Sequence, residues 1–190
     1  MVSFSSRSDG RVSLREHTID DLHRMREIWS NPAAMRYTTS APLDEEEAAN
    51  KLKHMMEVGD SRRGYSLAIV RDFDDLLVGT VGVDFERFAS AYTHSMVTDP
   101  TSWGSGIAVD TYRLLLEFLF DSLGKHRIWT ACDTRNDRAV RLIERVGFKR
   151  IGTIKEYAPR GRGWVDCFYY SYLDREWRNR AMLSSEGIAG

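Results

Sequence analysis

The sequence predicts an α+β fold in one domain, with an antiparallel front half and a β-α-β unit in the middle. Three observations carry this. Residues 65–98 hold three strand-like runs separated by short polar turns, the pattern of sequential antiparallel strands. The period then switches to helical over residues 107–123 and returns to a strand at 127–133. The chain of 190 residues has no internal repeat and no long linker, so one core serves all of it.

The elements follow in order. Residues 1–10 contain several serines and read as a disordered lead-in, leaving a domain over 11–177 and a flexible tail over 178–190. Arg11 to Glu16 alternates around Val12 and Leu14, a short strand. Thr18 is placed to cap a helix, with Asp20 and Asp21 in the first turn where the helix dipole favours negative charge. Leu22, Met25, Ile28 and Trp29 make its apolar face, and Asn31-Pro32 ends it. A second helix opens after Pro42, carries acid at residues 44–47, turns Ala48, Leu52, Met55 and Met56 inward, and closes at Gly59.

Tyr65 to Val70 is a strand, followed by a polar turn over Arg71 to Asp75. Leu76 to Phe85 is the next strand, in which Gly79 and Gly82 allow a bulge or a close approach. Ala91 to Thr98 is a third. Ile107 to Leu123 is a helix apolar nearly all round, hence buried against the sheet. Arg127 to Asp133 is a strand, and Asn136 to Val146 a short helix capped by Gly147. Phe148 to Tyr157 and Trp164 to Leu173 form a hairpin around Pro159 to Gly163, and the polar stretch from Asp174 frays.

Composition removes several function classes. Lys and Arg number 27 against 28 Asp and Glu, a net charge of −1, without the basic excess of a nucleic-acid binder. No apolar run approaches the ~18 residues of a membrane span. Cys132 and Cys167 are the only cysteines, too few for a disulfide framework or a zinc quartet. With no apolar h-region at the start, a soluble, reducing, cytoplasmic setting is expected.

The chemistry concentrates in two segments. Asp99-Pro100-Thr101-Ser102-Trp103-Gly104-Ser105-Gly106-Ile107-Ala108 joins a strand to the long helix. Glycines there let the backbone present N–H groups at a helix N-terminus, a site for phosphate or pyrophosphate. A tight strand-to-helix turn with no ligand fits the same run. It is neither a Walker loop, lacking Gly-Lys-Ser/Thr, nor a dinucleotide fingerprint, lacking the third glycine. The second segment, Asn136-Asp137-Arg138-Ala139-Val140-Arg141-Leu142-Ile143-Glu144-Arg145-Val146-Gly147-Phe148, follows after another strand.

With both in place the chain resembles the GNAT superfamily of acyl-CoA-dependent N-acyltransferases. Within it, the chain is similar to the branch of ribosomal-protein N-terminal acetyltransferases. The resemblance runs from about Arg11 to Trp177. It includes Arg11-Val12-Ser13-Leu14-Arg15, Ile69, Gly79, Gly82, Asp99-Pro100, the Trp-Gly-Ser-Gly loop, the Asn-x-x-Ala helix and the closing Gly161-Arg162-Gly163-Trp164-Val165-Asp166.

The resemblance implies a mixed, mostly antiparallel central sheet flanked by helices. In it two parallel strands, about Thr93 to Thr98 and Arg127 to Asp133, splay apart around the pantetheine arm of acetyl-CoA. It implies that Trp103, Gly104, Ser105, Gly106, Ile107 and Ala108 hold the pyrophosphate. Asn136 would bond the arm, and backbone amides at Met96, Val97 and Thr98 would pair with it and polarise the thioester carbonyl. A homodimer is implied too, since exposed aromatic surface on a strand edge is usually covered.

The sequence departs from the superfamily in three places. Thr101 stands where Gln or Arg often opens the loop. Ile143 stands where many members have the Tyr that protonates the leaving thiolate, and Ala139 where the branch tends to have Ser. The expected reaction is acetyl transfer from acetyl-CoA to a primary amine, a protein N-terminal α-amine first and a small amine (polyamine, antibiotic or amino acid) second, with no metal. The rival is a non-catalytic acyl-CoA-binding module. For the general base the candidates are Asp166, at the start of the last strand, and His94, because an unperturbed imidazole titrates near neutrality. Cys132 reads as a core thiol. Trp164, Phe168, Tyr169, Tyr170 and Tyr172 read as sheet packing, and the Arg160–Arg162 loop is either solvated or greets an acidic substrate.

Overall fold

The computed structural model describes residues 3–5, 11–60, 63–160 and 163–186. Its strands are β1 (Ser3–Ser5), β2 (Val12–Glu16), β3 (Gly64–Arg71), β4 (Leu76–Phe85), β5 (Ser90–Thr98), β6 (Arg127–Asp133), β7 (Lys149–Arg160) and β8 (Gly163–Leu173). They form one sheet in the order β1-β2-β3-β4-β5-β6-β8-β7. Only β5 and β6 are parallel; the other neighbours are antiparallel. The helices are α1 (Leu22–Trp29), α2 (Pro32–Met35), α3 (Glu45–Asp60), α4 (Ile107–Glu117), α5 (Asp137–Val146) and α6 (Asp174–Glu186).

The α+β prediction and the β-α-β unit, β5-α4-β6, are therefore observed. Two apolar layers cover the sheet. Met25, Ile28, Trp29, Leu52 and Met55 of α1 and α3 pack with Ala68, Val70, Leu77 and Val97 on one face. On the other, Leu114, Leu115, Leu116 and Leu119 pack with Leu14, Leu67, Ile69, Val81 and Ile128. The all-round apolarity of α4 is explained by this burial, and the helix widens into a π turn over Phe118–Ser122.

Four boundaries differ from expectation. Ser3–Ser5, read as part of the unstructured lead-in, pairs antiparallel with β2 through Phe4 opposite Leu14; the other lead-in residues lie outside those described. Asn31-Pro32 ends α1 and also starts α2, because the Asn31 side chain accepts the Ala33 N–H at 2.9 Å and proline suits a first helical position. Gly59 lies inside α3. The stretch from Asp174 is helical to Glu186, with only the last four tail residues outside those described. Trp177 anchors it: its ring stacks on Phe120 at 5.8 Å and its indole N–H donates to Asp121.

Candidate active site

The loop between β5 and α4 begins at Asp99, whose side chain accepts the Thr101 N–H at 2.9 Å and is held by Arg24. Ser102 and Trp103 close the turn onto Asp99 and Pro100. Gly104 and Gly106 then take φ of +82° and +91°, conformations that favour glycine. Their N–H groups have no partner among the described residues, and Gly106 caps α4, which has no side-chain cap. The loop thus presents unpaired donors at the positive end of a buried helix.

Side chains lock the loop in place. The Trp103 indole N–H donates to Thr98 Oγ1 at 3.1 Å, and the Arg138 guanidinium lies 3.6 Å from the Trp103 ring centroid. Arg11 reaches across from the sheet edge. It donates to the Ser105 carbonyl at 2.9 Å and to Asp110 at 2.7 Å, and its guanidinium lies against Gly106 so closely that a Cβ there would meet it at 2.9 Å. Thr101 supplies no cation, but Arg11 and Arg138 bring two to the loop. Neither was visible as a loop residue in sequence, because each arrives from a distant element.

From the loop the strands lead to a wedge. β5 and β6 pair only at Ser90–Arg127, Ala91–Ile128 and Tyr92–Trp129, then part. The cause is a bulge: Thr80 faces Val97 and Gly82 faces His94, so Ser95 and Met96 stand opposite Val81 alone. An extra residue bends a strand away from its neighbour. Gly82 makes room, since a Cβ there would meet the His94 ring at 2.5 Å. Threonine side chains bridge the point of divergence, with Thr130 Oγ1 donating to the Thr93 carbonyl at 2.8 Å.

A cavity of about 240 Å³ fills the wedge. β5 contributes His94, Met96 and Val97, β6 contributes Thr130 to Asp133, and α5 contributes Asn136, Ala139, Leu142 and Ile143. Asn136 uses its side-chain carbonyl to accept the Ala139 N–H at 3.1 Å, capping α5 and leaving its amide N–H₂ as a donor. Thr98 lies beyond the lining and serves by holding Trp103. The wall also includes residues 37–40, Lys51 of α3, Tyr112 of α4, and Tyr157 and Arg160 of β7.

The two proposed bases separate here. His94 lines the cavity, half-buried, with Nε2 at 3.2 Å from Asp84 Oδ2 and its ring 5.3 Å from that of Tyr92. Asp166 does not line it, while its neighbours Val165 and Cys167 do, because side chains alternate along a strand. The Asp166 carboxylate instead accepts from Lys155 Nζ at 2.7 Å and from the Glu156 N–H at 3.0 Å, and the Lys155 bond holds it below the ordinary carboxylate range. A carboxylate so held is a poor base. Its visible work is to pin a bulge in β7, where residues 155–157 stand opposite Asp166 alone and Glu156 takes φ +50°. That bulge delivers Tyr157 to the cavity.

Burial sets the state of several hydroxyls and thiols in the lining. Burial, then the hydrogen bond with Tyr157, pushes the Tyr92 hydroxyl far above the tyrosine range. Tyr112 is buried and hydrogen-bonded to Thr130 and Thr93. Burial pushes the Cys132 thiol up to about 12, so it stays protonated, as a core thiol should. Of the aromatic set, Tyr170 and Tyr172 are in the core and Tyr169 stacks on Trp129 at 4.5 Å, but Trp164 is exposed.

The acetyltransferase (GNAT) domain family matches residues 11–149. The chain belongs to the GNAT acetyltransferase family. This GNAT chain is 29% identical over 172 residues to the uncharacterized N-acetyltransferase YnaD of Bacillus subtilis, covering 88% of this chain and 96% of that one. It is 23% identical over 177 residues to the spermidine N(1)-acetyltransferase of Vibrio cholerae, covering 91% and 99%. Its fold matches the ribosomal-protein-S5-alanine acetyltransferase of Vibrio fischeri with a TM-score of 0.76 at 18% identity, covering 93% and 99%. Membership makes it an acyl-CoA-dependent N-acetyltransferase. Within this GNAT domain, His94, Met96, Val97 and Asn136 line one cavity, the loop residues 103–108 and Thr98 lie outside its lining, and Asp166 does not line it.

Proposed function

We propose that the chain transfers the acetyl group of acetyl-CoA to a primary amine, a protein N-terminal α-amine or a small amine, by direct attack on the thioester. The observation that carries this is the wedge between β5 and β6, lined by His94, which pairs with Asp84 of β4 outside the lining, together with the unpaired backbone donors of the loop that joins β5 to α4. Acetyl-CoA supplies the activated acyl group. The N–H groups of Gly104, Ser105, Gly106, Ile107 and Ala108, flanked by Arg11 and Arg138, suit its pyrophosphate. The Asn136 amide and the backbone at Met96 and Val97 suit the pantetheine and the thioester oxygen.

His94 is the base in this reading. An amine attacks only when unprotonated, so a proton must leave it, and Asp84 orients the imidazole to receive it. Ile143 and Ala139 donate nothing. A CoA thiol resembles a free cysteine in acidity, near ~8.5, so its thiolate leaves without a strong acid. Tyr92, whose hydroxyl burial keeps protonated, lines the same cavity beside its hydrogen-bond partner Tyr157 and can offer the departing thiolate a hydrogen bond.

A pH–rate profile of wild type, His94→Gln and Asp84→Asn on one amine tests the assignment. The wild-type rate should rise with pH and level off, and His94→Gln should lose about 10²–10⁴-fold in kcat with CoA affinity unchanged. Wild-type rates for His94→Gln across the range would leave only positioning of an already neutral amine.

A second copy of the chain is proposed to cover the outer face of the β7–β8 edge, where Ile151 and Trp164 are 60% and 62% exposed. Light scattering should then read twice the chain mass of 21.8 kDa at micromolar concentration; a single-chain mass would refute it.

A further inference from the structure

One side of the cavity is built from parts the acyl-transfer argument does not use. Lys51 lines it from α3, with its ammonium 4.9 Å from the Trp29 ring centroid. No carboxylate among the described residues pairs with Lys51, and burial pushes its ammonium below the ordinary lysine range. Arg160 lines the same cavity from the end of β7. Its Nη1 donates to the Arg36 carbonyl at 2.6 Å, its Nη2 lies 3.6 Å from Asp133 Oδ2, and its Nε is buried without a partner among the described residues.

The cavity's charge is one-sided. Asp133 is the only carboxylate among its described lining residues. Both Asp133 oxygens are already taken by Arg135, at 2.9 Å and 2.7 Å, before Arg160 is counted. His94 pairs with Asp84, which is not in the lining. What remains is a half-buried ammonium with no carboxylate partner among the described residues and a guanidinium with an unmet donor. A buried donor left unmet costs free energy, and a buried cation without a counter-ion costs more. A cationic acceptor would add a like charge to this wall with no open carboxylate to receive it.

We infer that the acceptor amine carries a carboxylate, which Lys51 and Arg160 bind while the amine faces the thioester. The inference rests on the acyl-transfer reading above and narrows its acceptor to amines of the amino-acid type, away from polyamines. A carboxylate offers two oxygens, one for the Lys51 ammonium and one for the Arg160 Nε–H, so both unmet groups would be satisfied together. Lys51 and Arg160 are specificity-determining in this scheme and take no part in proton transfer.

The test uses L-alanine, L-glutamate and L-phenylalanine, each beside its fully amidated counterpart, with spermidine as the cationic control. Calorimetric titration into the CoA-bound protein should show at least one free acid binding roughly tenfold or more tightly than its amide, and more tightly than spermidine. Lys51→Met should erase most of that difference while leaving amide affinity nearly unchanged, and Lys51→Arg should restore part of it. Arg160→Gln should act likewise; because Arg160 also holds the Arg36 carbonyl, Lys51→Met decides if that variant does not fold.

Equal binding of acids and amides, tighter binding of spermidine, no binding of any acid, or equal loss for acid and amide in Lys51→Met would each overturn the inference. Thiol release from acetyl-CoA reads the underlying reaction separately. Selective acid binding with no thiol release would sink acyl transfer and leave the carboxylate site. Thiol release with spermidine and the amides at unchanged KM would do the reverse.

Discussion

Single residues decide the chemistry of this site, and Gly106 shows how. Its φ of +91° is unfavourable for a branched side chain by roughly 1–2 kcal/mol. A Cβ would also strike the Arg11 guanidinium. Gly106→Val should therefore displace Arg11 and block the loop's N–H groups, lowering CoA affinity at least about tenfold by calorimetry. Gly104 has φ +82° but open space around its Cβ position, so Gly104→Ala should perturb folding less while still crowding the anion. Unchanged CoA affinity in a folded Gly106→Val protein would remove the phosphate-site argument. The loop was legible in sequence because glycine and helix-start signals are local. The roles of His94 and Asp166 were not. Both fall on strands, and only alternation together with a bulge decides which one faces the wedge.

At the scale of elements, two bulges shape the cavity. The one in β5 parts it from β6; the one in β7 turns Tyr157 inward. Gly82 hinted at the first, since glycine within a strand marks a close approach or a bulge. Nothing local announced the second, because Lys155, Glu156 and Tyr157 include no glycine or proline and the carboxylate that holds their kink, Asp166, lies across the hairpin. Asp166→Ala removes the acceptor for Lys155 and for the Glu156 N–H. Turnover should fall through a displaced Tyr157, well short of the 10²–10⁴-fold loss of a missing base, and the pH–rate profile should keep its shape. A loss of base-like size with a flattened profile would return Asp166 to the catalytic role.

The whole molecule depends on contacts that tie the helical layers to the sheet. Asp21 is one. It starts α1, accepts both Arg15 nitrogens at 2.8 and 2.7 Å and the Thr18 N–H at 2.9 Å, and lies 3.3 Å from His17 Nδ1. His17 in turn meets Thr80 of β4 at 3.0 Å. Burial opposes ionisation of Asp21, but the bonds from Arg15, His17 and the Thr18 N–H outweigh it and hold its carboxyl well below the ordinary range. With the folded pKa below the unfolded one, the stabilisation is fully present above about pH 5 and is lost as pH falls below about 4. Asp21→Asn should cost about 1–3 kcal/mol at pH 7 and progressively less in acid, read by urea unfolding at pH 7 and pH 3. A cost that does not shrink at pH 3 would mean the loss is one of packing rather than charge.

By itself the sequence determined the class of fold, the order of its elements, the glycine turn that leads into α4 and the family. These rest on signals within a few residues of one another: hydrophobic period, caps, glycine turns and the spacing of two motifs. The tertiary structure alone decided which cations flank the loop, which candidate base lines the cavity, and that Lys51 of α3 and Arg160 of β7 line that cavity together. Arg11 and Ser105 are far apart along the chain, as are Arg160 and Arg36, and they meet only because the sheet order carries β7 to one edge and β2 toward the other. Local chemistry writes the elements, but a site assembled across a sheet depends on register and face, which no short window of sequence contains.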